Sequence, residues 1–165
     1  MKIANFDPAD DWHTYEIQWT PNYISWALDG QEVRKVQGTA SVRDITKAKA
    51  LFMDFWTPEF AGWGDNMEDD ATMPWYTRYD WVEVYDYNQW NDSFTLKWRD
   101  DFNTLDLDRW FRSDGWSFDL NSSLFLASNT YVENGKLVLK MEVNDYQDKP
   151  IDNTVYYWAN ACRED

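Results

Sequence analysis

The sequence has very few of the residues that build disulfide frameworks and metal centres. Its 165 residues include one cysteine, Cys162, and one histidine, His13. A single cysteine excludes an intrachain disulfide, so Cys162 is expected as a free thiol or as the partner of a cysteine in another segment. A single histidine excludes a multi-histidine metal site. His13 stands at the start of a strand pattern with no nucleophile marked nearby, so we predict a structural role for it.

Positive charge and long apolar runs are also scarce. Lysine and arginine number 15 against 30 acidic residues, a formal net charge of −15. This balance argues against nucleic acid, which requires a basic footprint, and equally against an anionic membrane surface. No apolar run approaches the length of a membrane span, and no signal peptide is visible in the chain. The charge suits a neutral ligand or a calcium ion, although solubility explains most of the acids.

Aromatic residues are what the sequence has in excess. Twelve tryptophans, ten tyrosines and nine phenylalanines together make up 19% of the chain. A core needs few tryptophans, because each buried indole N–H requires a partner. Two interpretations are open. The first is an aromatic-rich β core, which accounts for about half of the tryptophans because aromatic side chains are usually buried. The second is a surface on which sugar rings stack.

Short aromatic and β-branched runs alternate with turn residues along the chain, which is typical of strands. Asp29-Gly30 and Asn134-Gly135 are strong hairpin signals, and 57–76 is long enough to be a functional loop. A short helical turn is expected near 43–48. The predicted strands are 12–19, 23–28, 31–36, 49–56 (largely buried), 77–87, 94–98, 125–132, 136–142 and 154–159.

These elements predict an all-β fold, an antiparallel β-sandwich of the jelly-roll type. No internal repeat or linker divides the chain, so one domain is expected over 1–165. Within it, 1–10 is expected as a disordered or vector-derived start, and 143–165 as a tail whose strand 154–159 covers an exposed part of the sandwich.

Several strings of the sequence resemble the endo-β-1,3-1,4-glucanases (licheninases) of glycoside hydrolase family 16. Strings similar to later parts of that fold come first here, and strings similar to its opening follow them. This order resembles the circularly permuted licheninases of rumen bacteria, and permutation is tolerated where termini lie close together. The strings are 11–15 (DWHTY), 19–23 (WTPNY), 54–56 (DFW) and 79–82 (YDWV), then 94–98 (FTLKW), 101–103 (DFN), 116–119 (WSFD) and 134–137 (NGKL).

The family's catalytic signature is absent from the 165 residues. The resemblance implies a retaining pair of glutamates on one strand, written Glu-x-Asp-x-Glu, with carboxyl groups about 5–5.5 Å apart. No segment of the chain has this pattern, so we expect no catalytic residue here and an incomplete sandwich whose catalytic strand lies outside the sequence. Three interpretations remain: the substrate-binding part of a licheninase, a non-catalytic carbohydrate-binding module derived from that family, and a structural module without a ligand.

The resemblance also implies site residues. Trp56, Trp63 and Trp116 match stacking positions of the glucan cleft, whereas Trp19, Trp26 and Trp81 are expected in the core. Asp54 stands where the family has an asparagine, so it accepts but cannot donate hydrogen bonds. The complete expected substrate-binding set is Trp56, Trp63, Trp116, Asp54, Asp119 and Asp114.

A structural calcium ion is the cofactor that the resemblance implies. Its matching positions are Asp80, Asp101 and the carbonyl of Gly135, since separate oxygen ligands suit a hard cation; a solvated aspartate cluster is the alternative. The expected partner is β-glucan, with no nucleic acid and no membrane, and the location is extracellular. Loss of strands from a sandwich exposes edges, so we also expect a homodimer or a domain-swapped assembly.

Overall fold

The computed structural model describes Asp7, residues 9–58 and residues 72–143. Within these ranges the chain consists of short antiparallel strands, which confirms the predicted all-β class. The described residues form two compact units: one comprises those up to Lys49 together with Tyr87–Phe94, and the other comprises those within Ala50–Asp86 and from Thr95 onward. No helix in these ranges is long and apolar enough to cross a membrane.

The first unit is built on a three-stranded sheet in the order β1-β2-β3. Its strands are β1 (Tyr15–Trp19), β2 (Tyr23–Leu28) and β3 (Gln31–Gln37), all antiparallel. The Asp29-Gly30 turn joins β2 to β3 with φ values of 50° and 76°. Asp and Gly are the residues that tolerate this left-handed backbone, so the predicted hairpin is confirmed. The predicted helical turn forms slightly earlier than expected, as α1 (Ala40–Arg43).

His13 fastens the start of β1 to the β2–β3 turn. Its Nδ1 lies 2.8 Å from Asp29 Oδ2, and the Thr14 amide donates to Asp29 Oδ1 at 2.9 Å. The hydrogen bond from the Thr14 amide, and then that from His13, lowers the pKa of the Asp29 carboxyl. The geometry agrees with the structural role expected for the histidine.

The second unit holds the largest buried cluster in the described ranges. Its sheet has the order β4-β8-β7, from β4 (Trp75–Tyr79), β7 (Thr130–Glu133) and β8 (Lys136–Met141). β8 is the central strand, and four of its six side chains are buried. The cluster comprises Phe102, Leu137 and Leu139, against which pack the half-buried Met53, Phe55, Tyr79, Val82, Leu105, Trp110 and Val132.

Two further strands, β5 (Val82–Asn88) and β6 (Ser93–Asp100), form a two-stranded hairpin. The sequence predicted one continuous strand over 77–87, and this prediction is wrong. β4 pairs with β8 up to Tyr79, whereas β5 pairs with β6. The chain therefore breaks at Asp80-Trp81, because it changes partners there. No local pattern carries that information.

The predicted buried strand over 49–56 is also wrong. Residues 50–57 have no strand geometry, and Leu51 and Phe52 are 51% and 57% exposed. A strand requires a neighbour that takes its backbone hydrogen bonds. In the described residues, the backbone of Thr57 bonds instead to Ser122 and Ser123, which belong to a loop.

The three tryptophans expected in the core are not fully buried. Trp19 is 37% exposed, while Trp26 and Trp81 are half-buried with a guanidinium over each ring. Arg34 lies 5.2 Å from the ring centre of Trp26, and Arg99 lies 4.7 Å from that of Trp81. Cation–π contact allows an indole to keep one face near solvent, which burial habit alone does not reveal.

Candidate functional site

Four aromatic rings of the second unit lie together, and two of them are tryptophans predicted for the glucan cleft. Trp56 meets Phe118 edge to face at 5.0 Å between ring centres, and Trp116 meets the same Phe118 at 5.8 Å. Trp116 also stacks on Phe125 at 5.6 Å. Trp56 and Trp116 are half-buried, and Phe118 is 36% exposed. The cluster therefore offers ring surface to a ligand while its other faces are held by packing.

A hydrogen-bond network of hydroxyl groups joins the two segments that carry these rings. Thr57 Oγ1 lies 2.7 Å from Ser122 Oγ and 2.8 Å from Ser123 Oγ. The Ser122 amide donates to the Thr57 carbonyl at 3.0 Å, and Ser117 Oγ donates to the Ser123 carbonyl at 2.7 Å. Residues more than 60 positions apart are thus fixed side by side, which orients Trp56 against the loop of Trp116.

Asn121 is a residue of this site that no pattern in the sequence indicated. It is 6% exposed, and its Oδ1 accepts the Ser123 amide at 2.8 Å. Its Nδ2 is the buried side-chain atom without a hydrogen-bond partner in the described part of the chain. A buried amide left unpaired costs roughly 1–3 kcal/mol, so such an atom is a candidate ligand donor. Asn121 forms a β-bridge with Pro58, two residues after Trp56.

A signal for Asn121 exists in the backbone and not in the sequence pattern. Leu120 precedes it with φ of 69° and is 58% exposed. A bulky residue in the left-handed region is strained, and such strain concentrates at functional sites.

The aspartates predicted to bind substrate have different surroundings. Asp54 is exposed and lies close enough to Tyr79 to contribute, after burial, to the raised pKa of that phenol. Asp119 is exposed beside Phe118 in the chain. Asp114 accepts the Ala127 amide at 3.1 Å at the start of a 3₁₀ turn, Ala127–Asn129, so it has a structural bond of its own. Trp63 lies outside the described residues. The substrate-binding roles of Trp63 and of these three aspartates remain predictions.

The two carboxylates among the predicted calcium ligands are each paired with a cation of the protein. Lys136 Nζ lies 2.7 Å from Asp80 Oδ1, and Arg99 Nε lies 2.6 Å from Asp101 Oδ1. Gly135 sits in the turn before Lys136 with φ of 69°. Oxygen donors suit Ca²⁺, but carboxylates paired with an ammonium and a guanidinium do not fit the ion as arranged. In the described ranges, no group of three or more Asp, Glu, His or Cys is arranged so that it could hold a metal ion, and calcium stays a prediction.

Glu83 accepts side-chain hydrogen bonds from two neighbouring residues. Tyr85 Oη donates to Glu83 at 2.6 Å, and Arg99 Nη1 donates to it at 2.6 Å. The Tyr85 bond first, and Arg99 second, hold the pKa of Glu83 below its usual value. A glycosidase acid needs a raised pKa so that it is protonated when it meets the leaving group.

Comparisons with known proteins point to one family. The model of glycosyl hydrolases family 16 matches residues 1–83. A beta-glucanase of Fibrobacter succinogenes is 39% identical over 140 residues, covering 81% of this chain and 39% of the relative. A beta-glucanase of Bacillus subtilis is 32% identical over 82 residues, 47% of this chain and 30% of the relative. A xylanase/beta-glucanase of Ruminococcus flavefaciens is 38% identical over 52 residues, 31% of this chain and 6% of the relative.

The chain thus spans about two fifths or less of the length of these relatives. The family match alone covers 83 of the 165 residues, just over half. The alignment with the Fibrobacter succinogenes relative extends over 81% of the chain. A continuous stretch of that length includes most of the segments that build the ring cluster. The chain therefore belongs to glycosyl hydrolase family 16.

Proposed function

We propose that this chain binds mixed-linkage β-1,3-1,4-glucan in a cleft lined by Trp56 and Trp116. The observation that carries the proposal is the packing of both tryptophans against Phe118, beside the unpaired Nδ2 of Asn121. Flat indoles cover the apolar faces of sugar rings, and one fixed amide donor gives the orientation that stacking lacks. The beta-glucanase names of the relatives support a β-glucan as the ligand.

We infer that the chain has the permuted order of strands. The Fibrobacter relative aligns over 140 residues, whereas the Bacillus relative aligns over 82. That difference is expected if the first shares the order of both halves and the second shares one half only. The absence of Glu-x-Asp-x-Glu favours binding without turnover by these 165 residues, either as the binding part of a licheninase or as a non-catalytic module. Since glucan is an extracellular polymer, the proposed location is outside the cell.

Glucan binding is tested by affinity electrophoresis of the full chain in native gels that contain barley mixed-linkage glucan. We expect retardation of the parent chain and a loss of most of it in Trp56→Ala. A stacked ring contributes on the order of 1 kcal/mol, so the apparent affinity should fall about fivefold to tenfold. Phe111→Ala is the matched control, because Phe111 is a 75% exposed ring of the same unit. Equal mobility of parent and Trp56→Ala would overturn the cleft.

A second variant tests the amide of Asn121 by itself. Asn121→Asp keeps the oxygen that accepts the Ser123 amide and replaces the unpaired donor by an acceptor. If Nδ2 donates to a sugar hydroxyl, this variant weakens retardation by about tenfold, the usual effect of one lost hydrogen bond in a dry site. Circular dichroism establishes that the fold is retained. A folded variant with unchanged retardation would remove Asn121 from the site.

The surface of β1 supports the proposal that copies of the chain associate. Tyr15, Ile17 and Trp19 occupy alternate positions, so they share one face of the strand, and they are 65%, 68% and 37% exposed. β1 is also an edge of its three-stranded sheet in the described ranges. Exposed apolar edge strands are templates for pairing with another chain, so we infer a homodimer or a domain-swapped assembly.

Light scattering coupled to size exclusion tests this association. We expect a dimer for the parent chain and a shift toward monomer in Ile17→Lys, because the charge must be desolvated in the paired state. Gln18→Lys adds the same charge to the other face of β1 and should leave the dimer intact. A parent chain that is monomeric at all concentrations tested would refute the association.

A further inference from the structure

Trp90 is exposed to a degree that is unusual for an indole. It is 88% exposed, more than any other large apolar side chain in the described ranges. It lies in the turn between β5 and β6, within the first unit. An exposed tryptophan leaves roughly 150–250 Å² of apolar ring surface in water, and nothing in hairpin formation requires an indole at this position.

The turn that carries Trp90 is held by side-chain hydrogen bonds at both ends. Asn88 Oδ1 accepts the Trp90 amide at 3.0 Å, and Tyr87 Oη donates to Asp92 Oδ1 at 3.0 Å. At its base, the rings of Tyr87 and Phe94 lie 5.1 Å apart. The backbone beneath the indole is therefore fixed before any ligand arrives, which lowers the entropy cost of binding.

The groups around Trp90 suit a sugar better than a protein. Its sequence neighbours are Asn88, Gln89 and Asn91, whose side-chain NH₂ groups can donate to hydroxyl groups. The oxygens of Asn88 and Asn91 accept the Trp90 amide and the Ser93 hydroxyl within the turn. A stable protein interface buries roughly 800 Å² on each partner, about four times what one indole supplies. One pyranose ring, in contrast, is covered by one indole. The net charge of −15 is compatible with a neutral polymer.

We propose that the β5–β6 turn is a second β-glucan-binding site, in which Trp90 stacks on one sugar ring and the neighbouring amides bind its hydroxyl groups. This inference rests on the proposed function for the choice of ligand, but it uses none of the cleft residues. Its consequence is that Trp90 binds glucan in a chain whose cleft tryptophans have been replaced.

Fluorine NMR separates the two sites. The full chain is labelled with 5-fluorotryptophan, and the resonances of Trp90 and Trp56 are assigned as those lost in Trp90→Phe and Trp56→Phe. A mixed-linkage tetrasaccharide is then titrated. We expect a saturable shift of the Trp90 resonance that persists in the Trp56→Phe protein. In gels with barley glucan, Trp90→Ala should lower the apparent affinity about threefold to tenfold, whereas Trp12→Ala, which removes a 53% exposed indole, should not.

The outcomes distinguish this proposal from the cleft. If the Trp56 resonance shifts and that of Trp90 does not, the second site is refuted and the cleft stands. If only Trp90 responds, the second site stands and the cleft is refuted. An equal shift of Trp90 with dextran, an α-linked polymer, overturns the proposal by showing unselective adhesion. A change of oligomeric state in Trp90→Ala without a change in glucan affinity overturns it in favour of a protein contact.

Discussion

Purified chain incubated with barley mixed-linkage glucan is expected to release no more reducing sugar than a buffer blank. Enzymes accelerate such reactions by about 10⁶-fold or more, so the presence or absence of turnover is the largest difference that any experiment on this protein can show. The physical reason is the absence of Glu-x-Asp-x-Glu from the sequence. Retaining hydrolysis requires a nucleophile and a protonated acid on opposite sides of one glycosidic bond, whereas hydrogen bonds from Tyr85 and Arg99 lower the pKa of the Glu83 carboxyl.

The assay needs controls for contamination and for folding. Retardation of the same sample in a glucan gel establishes that the protein is folded and competent to bind. Glu83→Gln serves as the internal control, because a trace of contaminating enzyme is unaffected by it. Turnover that survives repurification and disappears in Glu83→Gln would contradict our assignment and place a catalytic carboxylate on β5.

Phe102→Ala is expected to destabilise the second unit by about 3–5 kcal/mol, the usual cost of emptying a fully buried phenylalanine site. Phe102 is 0% exposed and belongs to the buried cluster with Leu137 and Leu139. A domain is stable by only about 5–15 kcal/mol, so this single change removes a large share of the total. Urea unfolding followed by circular dichroism measures the free energy of unfolding.

The site of Phe102 explains why its neighbours cannot compensate. Its φ is 47°, and its amide donates to Asp100 Oδ1 at 2.9 Å, while Trp110 Nε1 donates to the other oxygen of Asp100 at 2.7 Å. The backbone is thus fixed around the ring, which limits collapse into the cavity. Phe102→Leu should cost less than Phe102→Ala, and Phe111→Ala, at a 75% exposed ring, should stay within about 0.5 kcal/mol. A loss below about 1 kcal/mol in Phe102→Ala would show that the cluster is not the core.

The features that the sequence alone determined are those set by a few adjacent residues. Asp29-Gly30 and Asn134-Gly135 fix two hairpins, because few other residues tolerate left-handed backbone at both turn positions. The strings shared with β-glucanases indicated the family, and the missing Glu-x-Asp-x-Glu led to the expectation of binding without turnover. Trp56 and Trp116 were also predicted together for one cleft, 60 residues apart, and the structure brings both against Phe118.

Only the tertiary structure decided where distant segments meet and what they leave unpaired. The run 49–56 has the composition of a buried strand, yet its continuation at Thr57 bonds to loop serines. Asn121 becomes a candidate sugar ligand because its neighbours bury it and satisfy one end of its amide. Nothing in the sequence distinguishes Trp90 from the other tryptophans. Its exposure depends on a turn that is held by hydrogen bonds to Asn88 and Asp92. Burial and unpaired polar groups are properties of the packed chain as a whole, so no local pattern could have supplied them.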